Sequence, residues 1–230
     1  MEDYNINTKF SIVDCCGIVL FYIAILLMYE VAVSSLLIND RTMLTYIYIF
    51  IRMLFFFLPV TLFYISKSRA EFNLSILKKE VITLIKTRNF ICICCILSLV
   101  TLTPGLLYFT APVEMAKKYA QEHINLFGSW PLISYVFLVV VIPAGEELIF
   151  RGILFNTIKK YNIILAYLLT SIIFYYYHGE IRSEWNFITS ILFCWVYNKY
   201  ETLTAPIILH TLYNIIFICN LLFAYYILAN

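Results

Sequence analysis

Glu146, Glu147 and Arg151 stand in the stretch Val141-Ile142-Pro143-Ala144-Gly145-Glu146-Glu147-Leu148-Ile149-Phe150-Arg151-Gly152, inside an apolar run that extends from Trp130 past Leu154. An ionisable side chain among hydrocarbon is costly, about 2.5–3.5 kcal/mol on insertion scales, and marks a functional site by default. On a helix, residues four apart share a face, so Glu147 and Arg151 are placed to pair, with the acid on the favoured N-terminal side. Glu146 is turned away by about 100°. No basic residue follows it at the third or fourth position, so its own helix leaves it free. A carboxylate desolvated without a partner is a better proton acceptor. A buried ion network pinning helices together is the bland reading. It suits Glu147 and Arg151 better than Glu146.

Two of the three histidines add to this set. His178 closes the aromatic run Phe174-Tyr175-Tyr176-Tyr177-His178, where it could cap a helix or meet an aqueous interface. His210 and Asn214 are four apart in His210-Thr211-Leu212-Tyr213-Asn214, on one face of an otherwise apolar segment. Interhelical hydrogen bonding would explain them; two donors on one stripe also suit an oxyanion site. Glu146, His178, His210 and Asn214 come from three apolar segments. Each must avoid lipid, so all are expected to face one polar cavity. There they could activate a water and stabilise a tetrahedral oxyanion. Glu146, His178 and His210 are also ligand types for a divalent metal, although no HExxH pattern is present.

The elements that must position these groups follow from composition. The 230 residues are 63% hydrophobic and 13% charged, whereas soluble domains are about 45–50% apolar and about 25% charged. So few charges cannot clothe so much apolar surface, and the chain reads as one all-α, polytopic transmembrane domain over residues 1–230. A net charge of +2 argues against a nucleic-acid partner. Abundant Ile, Tyr, Phe, Asn and Lys point to an AT-rich, prokaryotic source and its plasma membrane. The seven cysteines lie in apolar runs; Cys92-Ile93-Cys94-Cys95 lacks metal-ligand spacing, and small apolar fillers explain them. The polar first ten residues do not resemble a cleavable signal.

About seven spans are expected, with an eighth possible. Phe10–Ile38 carries Asp14 and Glu30; Met43–Ile65 carries Arg52, expected to pair with one of those acids. Leu74–Ile85, within the basic stretch Ser66–Arg88, has the apolar spacing of an amphipathic helix on the membrane surface. Phe90–Phe109 follows, interrupted by Pro104-Gly105, and then a polar loop, Thr110–Ser129, with Lys117, Lys118 and His123. Trp130–Ile158, Ile163–Tyr177, a short Trp185–Tyr197 and Pro206–Leu228 complete the set. Placing Ser66–Arg88 in the cytoplasm gives ten basic residues on that side against Arg41, Lys117, Lys118 and Arg182 on the other, so the N-terminus is expected inside.

Glu146-Glu147-Leu148-Ile149-Phe150-Arg151 fits EExxxR, Phe174–His178 fits FxxxH, and His210–Asn214 fits HxxxN. Together, in this order and with Gly145 and Gly152 flanking the first, they resemble the CPBP intramembrane protease family, also called the CAAX-protease/bacteriocin-processing or Abi family. Leu203–His210 resembles the family's run before its last histidine. The likeness covers about Trp130–Asn220. It implies an endopeptidase acting on a peptide or membrane-protein substrate in the bilayer. Glu146 would be the general base on water, His178 would help bind that water, and His210 and Asn214 would stabilise the oxyanion. Glu147 and Arg151, with Phe174, would support the site. The resemblance implies no cofactor. The chain departs from the family with Ser190 and Cys194 where glycines are common, and with Gly179-Glu180 after His178. Bacteriocin self-immunity or abortive infection, with or without proteolysis, is the alternative within the family. A small transporter or scaffold is a third class, disfavoured by the complete catalytic set and the lack of internal repeats.

Overall fold

The computed structural model describes residues 10–36, 57–68, 74–107, 135–178 and 184–229. Among them every regular element is a helix. In chain order these are α1 (Ile12–Leu36), α2 (Leu58–Ser68), α3 (Leu74–Lys86), α4 (Arg88–Leu107), α5 (137–158), α6 (Ile163–Tyr177), α7 (Glu184–Tyr200) and α8 (Thr204–Ala229). Helix α1 opens on a reciprocal cap: Ser11 Oγ accepts from the Asp14 N–H while Asp14 Oδ2 accepts from the Ser11 N–H. Each satisfies an amide that the first turn leaves without a partner. Asn162 caps α6 with a single bond, its Oδ1 accepting from Leu165 N at 3.0 Å. Thr87 separates α3 from α4, and the two helices meet at 79°.

Helix α5 carries the acidic motif and is not a uniform α-helix. Phe137–Val141 and Leu148–Phe155 are wound as π-helix, with α-turns at Ile142–Glu147 and Asn156–Ile158. Pro143 explains the first widening. It has no N–H, and its ring would clash with the carbonyl of Val139 in a regular α-turn. Such i→i+5 turns occur frequently at functional sites.

The first core layer brings α1, α2, α5 and α6 together: Ile18, Ile25, Phe57, Val60, Tyr64, Phe150, Ile153, Phe174 and Tyr177 are buried against one another. Gly145 and Gly152 are seven residues apart on α5, and Phe57 and Tyr64 are seven apart at α2. A Cβ on Gly145 would lie 2.5 Å from a Phe57 ring atom, and one on Gly152 would lie 3.2 Å from Tyr64. The glycines let the two segments approach closely. A second layer joins α3, α4, α7 and α8 through Leu84, Phe90, Leu97, Phe193, Val196, Ala205 and Leu209.

Several sequence expectations need correction. Asp14 pairs with Lys67 at the end of α2; the expected pairing of Arg52 with Asp14 or Glu30 falls outside the described residues, as do the turn at 39–41, most of the second span and the loop 110–129 with His123. Helix α4 runs on through Pro104-Gly105 to Leu107. The expected thirteen-residue segment is a seventeen-residue helix, Glu184–Tyr200. Among the described residues, one helix, through Ile12–Tyr29, is long and apolar enough to cross a membrane, or two if the bent α3–α4 pair is one span. Ile163–Tyr177 and Thr204–Asn220 are shorter apolar helices.

One end of the bundle gathers basic and aromatic side chains. Lys160 Nζ donates to the Phe10 carbonyl, Lys67 sits over the Phe10 and Phe63 rings, and Lys159 over Tyr197. Lys199 lies over Trp195 and Tyr200, and Tyr200 meets Phe90 edge-on.

Candidate active site

The two adjacent carboxylates converge on one imidazole. Glu147 is fully buried, and its Oε1 lies 2.9 Å from Arg151 Nη1 and 2.7 Å from His210 Nδ1. The i,i+4 ion pair forms despite the widened turns around it. A carboxylate oxygen can only accept, so Nδ1 of His210 carries the proton and Nε2 is turned to other chemistry. That nitrogen lies 3.6 Å from Glu146 Oε2. Glu146 is therefore not left alone, as its own helix suggested. It and Glu147 face the two nitrogens of the same ring.

Arg151 is held from the other side by α7. Its Nη2 donates to the Ser190 carbonyl at 3.0 Å and to Ser190 Oγ at 2.8 Å. Ser190, where the family resemblance would place a glycine, thus supplies two acceptors to a buried guanidinium. Cys194 is fully buried beside Arg151 and Ser171. Two rings line the cluster. Phe174 lies 4.8 Å from the Arg151 guanidinium and 5.8 Å from the His210 ring. Phe193 stacks on His210 at 5.0 Å and lies 5.3 Å from Arg151. Excluding water on both sides strengthens the ion pair and makes leaving either charge unpaired costly.

The remaining expected residues join less directly. His178 ends α6 half-buried, its Nδ1 2.8 Å from the Phe174 carbonyl. A carbonyl only accepts, so Nδ1 is the donor, and in the neutral ring Nε2 is the acceptor. The same bond caps a last-turn carbonyl of α6. His178 reaches the central cluster through Phe174, whose ring is 4.5 Å from its own. Asn214 lies one turn beyond His210 and gives an Nδ2 hydrogen to the Leu138 carbonyl at 3.1 Å. That ties α8 to the first π-wound turn of α5 and leaves the amide a second hydrogen.

Sequence reasoning missed the Glu147–His210 bond and the roles of Ser190 and Phe193. The first joins residues 63 apart and has no local signal. Ser190 and Phe193 are three apart, a spacing that marks one helical face; that stripe was the available clue. Among the described residues no three His, Cys, Asp or Glu side chains are grouped to hold a metal ion. His210 commits Nδ1 to Glu147, and Glu147 shares the same oxygen with Arg151.

Residues 128–216 match the family described as Type II CAAX prenyl endopeptidase Rce1-like. This is the CAAX-protease family that the motifs resemble, a family of membrane proteases, and the matched stretch contains every candidate residue from Glu146 to Asn214. No curated protein and no solved structure matches the chain.

Proposed function

We propose that the chain is a multi-pass intramembrane endopeptidase that hydrolyses a peptide bond with water activated by Glu146. The observation that carries this reading is the facing of Glu146 Oε2 and His210 Nε2 at 3.6 Å. Two atoms at that separation can both hydrogen-bond one water through legs of about 2.8 Å. Glu147 and Arg151 cancel each other's charge. The reaction needs one proton held between Glu146 and His210. With that proton on the imidazole, Glu146 is the base that takes a proton from water, and the Nε2–H of His210 faces the oxygen of the attacked carbonyl. The tetrahedral oxyanion is then held by His210, with the second amide hydrogen of Asn214 as a further donor. Glu146 returns its proton to the departing amine as the C–N bond breaks. His178, with Nδ1 given to Phe174, offers Nε2 to orient the water.

The depth of the site supports an intramembrane reaction. Glu146 precedes Ile158, the end of α5 at the basic end of the bundle, by twelve residues, at most about 18 Å at the α-helical rise and somewhat less through the π-wound turns. That is near the middle of a hydrocarbon core about 30 Å thick. The basic end faces the cytoplasm in this reading.

The test is comparative peptidomics of proteoliposomes holding a membrane-protein extract with purified wild-type protein or Glu146→Gln. New peptide termini are expected with wild type only, while both proteins melt alike. Undiminished cleavage by Glu146→Gln overturns the assignment of the base.

A further inference from the structure

We propose that α3 and the start of α4 form a docking surface for anionic lipid headgroups, on which the basic end of the bundle rests. Helix α3 has three flanks with three environments. Its inner flank meets the protein. Leu84 is buried in the second core layer, and the Glu80 carboxylate accepts from Thr202 Oγ1 at 2.8 Å and from Thr204 Oγ1. Glu80 thereby stands at the N-terminus of α8, where a negative charge is favoured by the helix dipole. The next flank is aliphatic and exposed: Ile82 is 43% and Ile85 56% accessible. Lys78, four residues before Ile82, shares that flank; beyond it lie exposed Lys79 and Lys86, with exposed Arg88 opening α4.

Such a helix, protein-bound on one side, aliphatic on the next and basic on the third, suits the boundary between acyl chains and headgroups. The 79° turn into α4 fits this placement, since it lays α3 across the direction of an apolar helix. Among the described residues two acids lie near this surface. Glu80 is bound to the two threonines, and Glu201 interacts electrostatically with Lys159. Four cations therefore face outward without a local counter-charge on their own helices. Lysine stems can lie along the isoleucines while the ammonium groups reach the phosphates. A zwitterionic surface offers no net charge to complement them; a phosphatidylglycerol-type headgroup does. The claim rests on the membrane placement alone and is independent of the reaction at Glu146.

The experiment is native mass spectrometry of the full chain, released from micelles holding equal phosphatidylglycerol and phosphatidylcholine. Wild type should retain phosphatidylglycerol at least about fivefold over phosphatidylcholine, the effect of a single lysine near an anionic surface. The preference should fall as salt is raised before release. The combined variant Lys78→Gln, Lys79→Gln, Lys86→Gln and Arg88→Gln should retain the two lipids equally. Equal retention by wild type, or a salt-insensitive preference, overturns the proposal without use of any variant. So does an undiminished preference in the variant, or competition by a soluble acidic peptide as effective as the lipid.

Discussion

Replacing Glu147 by Gln removes one charge from a pair that has no access to water. Glu147 and Arg151 are both fully buried and joined at 2.9 Å, while the other amino group of Arg151 donates to the neutral oxygens of Ser190. Glutamine keeps the shape and one acceptor but takes away the carboxylate charge that faces the guanidinium. Breaking a buried pair from one side costs about 3–5 kcal/mol. At about 2–4 °C per kcal/mol for a chain of this size, the melting temperature should fall by roughly 6–20 °C. Removing both charges, as in Glu147→Gln with Arg151→Met, should recover most of that loss, because neither member of the pair is then left buried alone. The assay is thermal unfolding of detergent-purified protein followed by tryptophan fluorescence for wild type, both single variants and the double. A loss under about 1 kcal/mol in Glu147→Gln, the value of an exposed pair, would refute the reasoning. So would a double variant no better than the worse single.

Two further outcomes follow from the packing. Gly145→Ala should destabilise by about 1–3 kcal/mol through overpacking, since its Cβ would meet the Phe57 ring at 2.5 Å; adding Phe57→Ala should lessen the penalty, as thermal melts would show. Glu80→Ala should loosen the start of α8 by removing the acceptor for Thr202 and Thr204, seen as faster amide exchange over residues 202–205 with α6 unchanged.

What is legible in the sequence depends on distance along the chain. Ile163–Tyr177 has the expected bounds because Asn162 caps its start and an unbroken apolar run follows. The Glu147–Arg151 pair is legible because its spacing is local. The family resemblance rests on the same short-range spacing, and the match over residues 128–216 agrees with it. Glu146 looks solitary in the sequence because helical phase shows which way a side chain points from its own helix, not what a second helix brings to meet it. The His210 ring answers both carboxylates through opposite nitrogens. The partner of Asp14 is hidden for a related reason: Lys67, at the polar end of α2, reads as loop charge in the sequence, yet it meets the cap of α1. Ser190 looks like a departure from a glycine pattern, yet its hydroxyl and carbonyl both receive the buried arginine.

The most direct test of the account is nitrogen NMR of protein labelled at its three histidines, His123, His178 and His210, in wild type, Glu146→Gln and Glu147→Gln. His210 Nδ1 should carry a strongly hydrogen-bonded proton whose bond weakens in Glu147→Gln, where a neutral amide oxygen replaces the carboxylate, and its Nε2 signal should move in Glu146→Gln while Nδ1 stays bonded. A His210 spectrum indifferent to both substitutions would contradict the convergence of the two carboxylates on one ring, and with it the proposed site.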